Sequence, residues 1–245
     1  MLRDLYFVGD VHGKFRELIF RASQKNKIEN ADIIVLGDFG AGFHKKEYMV
    51  QEYNRSKKKL EKYDLNIHVL RGNHDNPEYF RDPIPLDFPR LHFLEDHKVY
   101  EICGRRIYII GGANSTDITY RDITGKVRER IEGVDWWSGE DIVRVPESEL
   151  PRRVDIIATH SAPLSFEPVA MKFDETPLWQ YEKILEERRY LDSILKSIRT
   201  DYWYYGHYHH YYSGTYNGVL YRCLPELEFF LAPEPKNDNP QGKIL

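Results

Sequence analysis

Short apolar runs that alternate with helix-length segments constrain this chain more than any other feature. Leu5-Tyr6-Phe7-Val8 precedes a segment from Lys14 to Lys25 in which Phe15, Leu18, Ile19 and Ala22 recur at helical spacing. Asp32-Ile33-Ile34-Val35-Leu36 precedes Glu47 to Tyr63, which reads as a charged surface helix. Ile67-His68-Val69-Leu70 and Val154-Asp155-Ile156-Ile157-Ala158 repeat the strand pattern, and Leu178 to Ile198 reads as a long helix. Such alternation builds βαβ units, so a sheet of parallel strands covered on both faces is expected. Two hairpins add antiparallel strands. Val99–Ile102 and Arg106–Ile110 flank Cys103-Gly104-Arg105, and Tyr211–Tyr216 and Val219–Cys223 flank the turn pair Asn217-Gly218. The fold class is therefore α/β with antiparallel additions, a second sheet stacking on the first. Ser138 with Asp141 fits both a capping box for a short helix and a surface turn.

Residues 1–231 read as a single domain, and the Pro-, Asn- and Gly-rich stretch 232–245 as a flexible tail. A composition of 41% hydrophobic residues is too apolar for a disordered chain. No run reaches the roughly 18 apolar residues of a membrane span. Met1-Leu2-Arg3-Asp4 opens no apolar leader, and Cys103 and Cys223 are too few for a disulfide scaffold or a cysteine-rich zinc module. A cytoplasmic protein is expected. The formal charge of −4 argues against broad, sequence-blind DNA binding.

Polar side chains able to bind metal follow the strand-like runs: Asp10 and His12, Asp38, Asn73 and His74, His160, then His207 and His209. In open α/β sheets ligand sites form beyond the carboxyl ends of strands. A βαβ crossover takes about 30 residues, so successive strands deliver these groups to one edge. Each alone has a plainer reading. Gly-Asp after a strand is commonly a turn, Asn73 suits a left-handed turn, and His207 and His209 fit one packed strand face. Together, two Asp, one Asn and four His match two adjacent divalent transition metals with positions left for water and substrate.

Gly9-Asp10-Val11-His12-Gly13, Gly37-Asp38, Gly72-Asn73-His74-Asp75, Thr159-His160 and Gly206-His207-Tyr208-His209 resemble, in order, the five motifs of the calcineurin-like metallophosphoesterase superfamily. The resemblance spans most of the chain. It implies a four-layer α-β-β-α sandwich with two stacked mixed sheets. It also implies that Asp10, His12 and His209 bind one metal, that Asn73, His160 and His207 bind the other, and that Asp38 bridges them. His74 matches the family histidine that faces the leaving group. The implied activity is hydrolysis of phosphate mono- or diesters by attack of a metal-bridging hydroxide. The two divalent ions would be manganese, with iron, zinc, nickel or cobalt as substitutes. A metal-dependent nuclease and a catalytically silent interaction scaffold are the alternatives; the complete ligand set speaks against the scaffold.

Asp75 has two readings, as a partner that tunes His74 or as a helix cap. Arg71 has two as well, a phosphate clamp or a structural ion pair. The acidic residue and arginine that protein Ser/Thr phosphatases of the superfamily carry after the second motif are replaced by Phe39-Gly40-Ala41-Gly42-Phe43. Gly111-Gly112-Ala113-Asn114-Ser115 ends a strand and is a candidate phosphate cradle of backbone N–H groups, with Asn114 a candidate substrate contact. Asp135-Trp136-Trp137 and the aromatics Tyr202 to Tyr205, Tyr208, Tyr211 and Tyr212 read as core or wall, with substrate stacking as the alternative. Residues 44–62 hold seven basic and three acidic side chains. They form either a solvated helix face or a guide for an anionic substrate.

Overall fold

Side-chain alternation along the strands divides the apolar residues into three cores, and the cores set the layers. A computed structural model describes residues 3–81, 88–115, 118–121, 126–134, 136–166 and 178–235. The strands are, in chain order, β1 (Asp4–Val8), β2 (Ala31–Val35), β3 (Leu65–Val69), β4 (Leu91–Phe93), β5 (Val99–Ile102), β6 (Arg105–Ile110), β7 (Thr119–Arg121), β8 (Val127–Glu129), β9 (Ile156–Thr159), β10 (Tyr202–Tyr205), β11 (Tyr212–Tyr216), β12 (Val219–Cys223) and β13 (Phe229–Leu231). The helices are α1 (Phe15–Phe20), α2 (Lys46–Lys62) and α3 (Leu178–Ser197). One sheet runs β13-β1-β2-β3-β4, parallel except for β13. The other runs β11-β12-β10-β9-β6-β5, with its four central strands parallel and a hairpin at each edge. β7 and β8 pair separately.

Leu5 and Phe7 of β1, Ile34 of β2, Ile107 and Ile109 of β6, and Tyr202 and Tyr204 of β10 meet between the two sheets. Their neighbours point the other way. Val8, Ile33, Val35, Ile67 and Val69 pack under Phe15, Leu18, Tyr53 and Leu60 of α1 and α2. Trp203 and Tyr205 of β10 pack with Ile157 under Leu191, Ile194 and Ile198. The result is helix, sheet, sheet, helix, the expected four layers. The aromatic run 202–205 is thus core on both faces of β10, because a period of two sends successive side chains to opposite sides.

Both hairpins close through two residues at positive φ, Cys103 and Gly104 (49° and 72°) and Asn217 and Gly218 (48° and 83°). This geometry matches strand twist. The first loop is one residue shorter than the sequence suggests, since Arg105 already pairs in β6 with Ile102. The segment after α1 stays helical to Lys25 but widens to π-type, with Asn26 N–H reaching back to Arg21 O. Ser138 does not start a helix. Residues 138 and 139 form a turn closed by Glu140 N–H on Trp137 O at 3.0 Å. The carbonyls that a helix would need, those of Gly139, Glu140 and Asp141, all accept from the Arg71 guanidinium instead.

The segment expected to leave the fold after Leu231 stays attached for two residues. Ala232 N–H donates to Leu5 O at 2.8 Å and Pro233 O accepts from Arg105. Residues 236–245 and Asp135 lie outside the described residues. No helix among the described residues is long and apolar enough to cross a membrane.

Candidate metal centre

Asp10, Asp38, Asn73, His160 and His207 each lie a few residues beyond the carboxyl end of β1, β2, β3, β9 and β10, and these strand ends gather at one edge of the sandwich. Two ligand clusters result. Asp10, His12, Asp38 and His209 offer atoms within 4.8 Å of one another, and Asp38, His160 and His207 do the same. Asp38 belongs to both. Its Oδ1 lies 3.2 Å from His160 Nε2 and its Oδ2 3.9 Å from His12 Nε2, so one carboxylate faces both clusters. Asn73 joins the second cluster through Oδ1, 2.9 Å from His160 Nε2.

The backbone is bent to achieve this. His12, Asp38, His207 and His209 have φ of 47°, 47°, 68° and 53°, in the left-handed region that L residues avoid. Such placements cost on the order of 1–3 kcal/mol each and persist where the surroundings fix them, often at functional sites. Gly72 is required by close approach: a β-carbon there would stand 2.1 Å from both the backbone nitrogen and Oδ1 of Asp38.

The inner atoms are an excess of acceptors. His160 Nδ1 is 2.7 Å from Leu36 O and donates there, which aims Nε2 at Asn73 Oδ1 and Asp38 Oδ1, the face it would offer a cation. Asp10 Oδ2 is fully buried without a well-formed hydrogen bond, 2.9 Å from His209 Nε2 and 3.8 Å from His12 Nε2. Converging lone pairs of this kind require positive charge between them, and nitrogen–oxygen donor sets suit first-row divalent ions. The residues therefore fit the metals that the motifs imply.

The same demand appears in the acid–base behaviour. Burial opposes ionisation of Asp38, but His160, His74 and His12 outweigh it and hold the carboxyl well below the usual range. Burial would lower His160, yet Asp38 and Asp10 carry it up to about 10. Burial and the neighbouring His160 push His207 down to about 3, while the adjacent Asp10 carboxylate raises His209. The pocket thus takes up positive charge at one imidazole while keeping another neutral.

A second layer of side chains holds the ligands. Asn73 Nδ2 donates to Ser115 Oγ at 2.9 Å, and Ser115 Oγ donates in turn to Glu140 Oε2 at 2.5 Å. This relay turns the amide oxygen of Asn73 toward His160. The sequence points to Ser115 only through its glycine-rich loop and gives no sign of Glu140, which arrives from a distant turn. Asp10 Oδ1 accepts from His207 N–H at 3.0 Å, and Asp38 Oδ1 from His74 N–H at 2.9 Å, so the ligand loops brace one another.

His74 is buried beside the centre, its ring 5.6 Å from that of His12, and it belongs to neither ligand cluster. Asp75 is occupied by loop backbone and caps no helix. Its carboxylate accepts from the N–H groups of Phe39, Gly40, Ala41 and Gly72, and burial with repulsion from Asp38 raises it to about 6. It shapes the loop that follows Asp38, and Asn76 does the capping, accepting from Glu78 N–H.

Arg71 is a structural residue, not a phosphate clamp. It is 2% exposed and its guanidinium donates to Asp96 and to four carbonyls. Asn114 is likewise engaged, donating its amide and backbone N–H to buried Glu187. The loop 111–115 is no phosphate cradle. Its five N–H groups go to Asp96, Arg71 O, Glu140 O, Glu187 and Glu140. Its glycines are spent on fitting the loop around Arg71. The basic segment 44–62 becomes mainly α2, where Glu52 pairs with Arg16 and Arg55.

The sequence profile of the calcineurin-like phosphoesterases matches residues 4–211. No curated protein matches the chain in sequence. Among solved structures, one that covers 94% of this chain and 95% of its own superposes at a TM-score of 0.55 with 13% identity, a likeness of fold. Phosphopantetheinyl hydrolase from Mycobacterium tuberculosis covers 92% of this chain and 90% of its own, at 12% identity and a TM-score of 0.45. The TT1561 protein of Thermus thermophilus covers 93% and 91%, at 11% identity and 0.43. With the profile matched across most of its length and candidate ligands gathered at the strand ends, the chain belongs to the calcineurin-like phosphoesterase family.

Proposed function

We propose that this protein hydrolyses phosphate mono- or diesters with two divalent cations, manganese in the first instance. The observation that carries this reading is the sharing of Asp38 between two ligand clusters. Asp10, His12, His209 and Asp38 would hold one ion, and Asp38, Asn73, His160 and His207 the other. When bound, such a pair supplies an activated water and offsets charge on the phosphoryl oxygens. The chain's residues do the rest. Asp38 keeps the two positions adjacent, and the Ser115–Glu140 relay fixes the amide of Asn73. His74, held through its N–H on Asp38, stands ready to give a proton to the departing oxygen. The unpaired cysteines Cys103 and Cys223 support residence in a reducing compartment, the cytoplasm.

The test is reconstitution of metal-stripped protein with Mn²⁺, followed by assay on an aryl phosphate monoester, an aryl phosphodiester and single-stranded DNA. Turnover of either ester with two metals per chain is expected. Preference for DNA would turn the reading into a nuclease. Absence of both metal and turnover would refute it.

A further inference from the structure

We propose that the His74 side of the centre carries a fixed aromatic platform, Phe43 backed by Trp137, that selects esters whose leaving group bears a planar ring. The inference rests on the phosphoesterase reading and adds a substrate class to it. Phe43 is partly exposed, and its ring stands 6.5 Å from that of His74 at 65°. The ring of Trp137, itself only 8% exposed, lies parallel to Phe43 within 8°, 6.3 Å between centroids. A leaving group that departs toward His74 therefore moves along the Phe43 ring.

The platform is set before any substrate arrives. Phe39, Gly40 and Ala41 give their N–H groups to Asp75, Asn76 N–H bonds Ala41 O at 2.7 Å, and Phe43 N–H bonds Gly40 O at 3.3 Å. Gly42 has φ of 97°, and a β-carbon there would stand 2.6 Å from Asn76 Cβ and 3.1 Å from Trp137 Cζ2. The ring is thus aimed by the loop's backbone, and a bound ring orders little that is not already ordered. A planar group gains offset stacking on such a surface, which a saturated ring of similar size does not.

The platform also explains why the loop after Asp38 is aromatic and glycine-rich.

The experiment compares benzyl phosphate with cyclohexylmethyl phosphate, and their methyl diesters, on the manganese-loaded protein. The two leaving alcohols match in size and differ in planarity. A preference of about 10-fold in kcat/KM for the benzyl ester is expected. Phe43→Leu, which keeps apolar volume without a ring, should bring that ratio to about 2 or less, chiefly through KM, and Phe43→Trp should restore it. Calorimetry with benzylphosphonate and cyclohexylmethylphosphonate reads the same ratio without turnover. An unchanged ratio in Phe43→Leu, or an equal fall for both esters, overturns the platform and leaves the phosphoesterase reading standing. No turnover of any ester overturns that reading and the platform with it.

Discussion

Asp38 uses each of its two oxygens for a different cluster, and no other side chain among the described residues does so. Removing it should therefore cost both ions, whereas removing His209 should cost one. Metal content per chain by mass spectrometry separates the outcomes, and equal losses in Asp38→Ala and His209→Ala would refute the shared role. His74→Ala should lower kcat by about 10²- to 10⁴-fold with both metals retained; metal loss in that variant would make His74 a ligand. Glu140 gives a pH prediction. Burial raises it from an ordinary 4.5 to about 7, so the folded chain holds this proton more tightly than the unfolded one. Stability from this group is present at low pH and is lost as pH rises from about 4.5 to 7. In Glu140→Gln the fall in Tm across that range should shrink, and an unaltered slope would show that Glu140 does not titrate there. That these candidate ligands would gather was legible in the sequence, because their type and strand-end position are local facts. Glu140 was not, since a lone glutamate in a turn carries no mark of the serine it will meet.

Elements followed the sequence where periodicity is strong and failed where one buried charge organised a loop. β1, β2, β3, α2, α3 and both hairpins stand within a residue or two of the apolar pattern, because hydrophobic spacing and turn residues act locally. The capping signal at Ser138 lost to Arg71, whose guanidinium gathers the 139–141 carbonyls and Asp96. That is a long-range effect that no window of sequence contains. Arg71→Met should cost about 3–5 kcal/mol in urea unfolding, since Asp96 and the three carbonyls lose a buried partner. A loss under about 1 kcal/mol would mean that the loop finds other donors. The glycine-rich loop 111–115 misled in the same way, its N–H groups having been committed to the fold.

Across the whole molecule, the seven candidate ligand residues are drawn from both sheets, so ions bound among them would hold the two halves of the sandwich together. Saturating Mn²⁺ should raise stability by about 2.7 kcal/mol per site at a hundredfold excess over Kd, and a chelator should reverse the rise in Tm. No change in Tm on adding metal would argue that the clusters bind none. The strand beside β1 is β13, so the first strand of the chain waits for one of the last to cover its edge. Synthesis proceeds from the amino terminus, and until Phe229–Leu231 has emerged β1 presents open N–H and C=O groups along that side. A ribosome-stalled chain that ends before residue 229 should thus carry every candidate metal ligand and still invite strand pairing from its neighbours. The order in which the chain is made sets its moment of greatest vulnerability to aggregation, after the chemistry is encoded and before the sheet is closed.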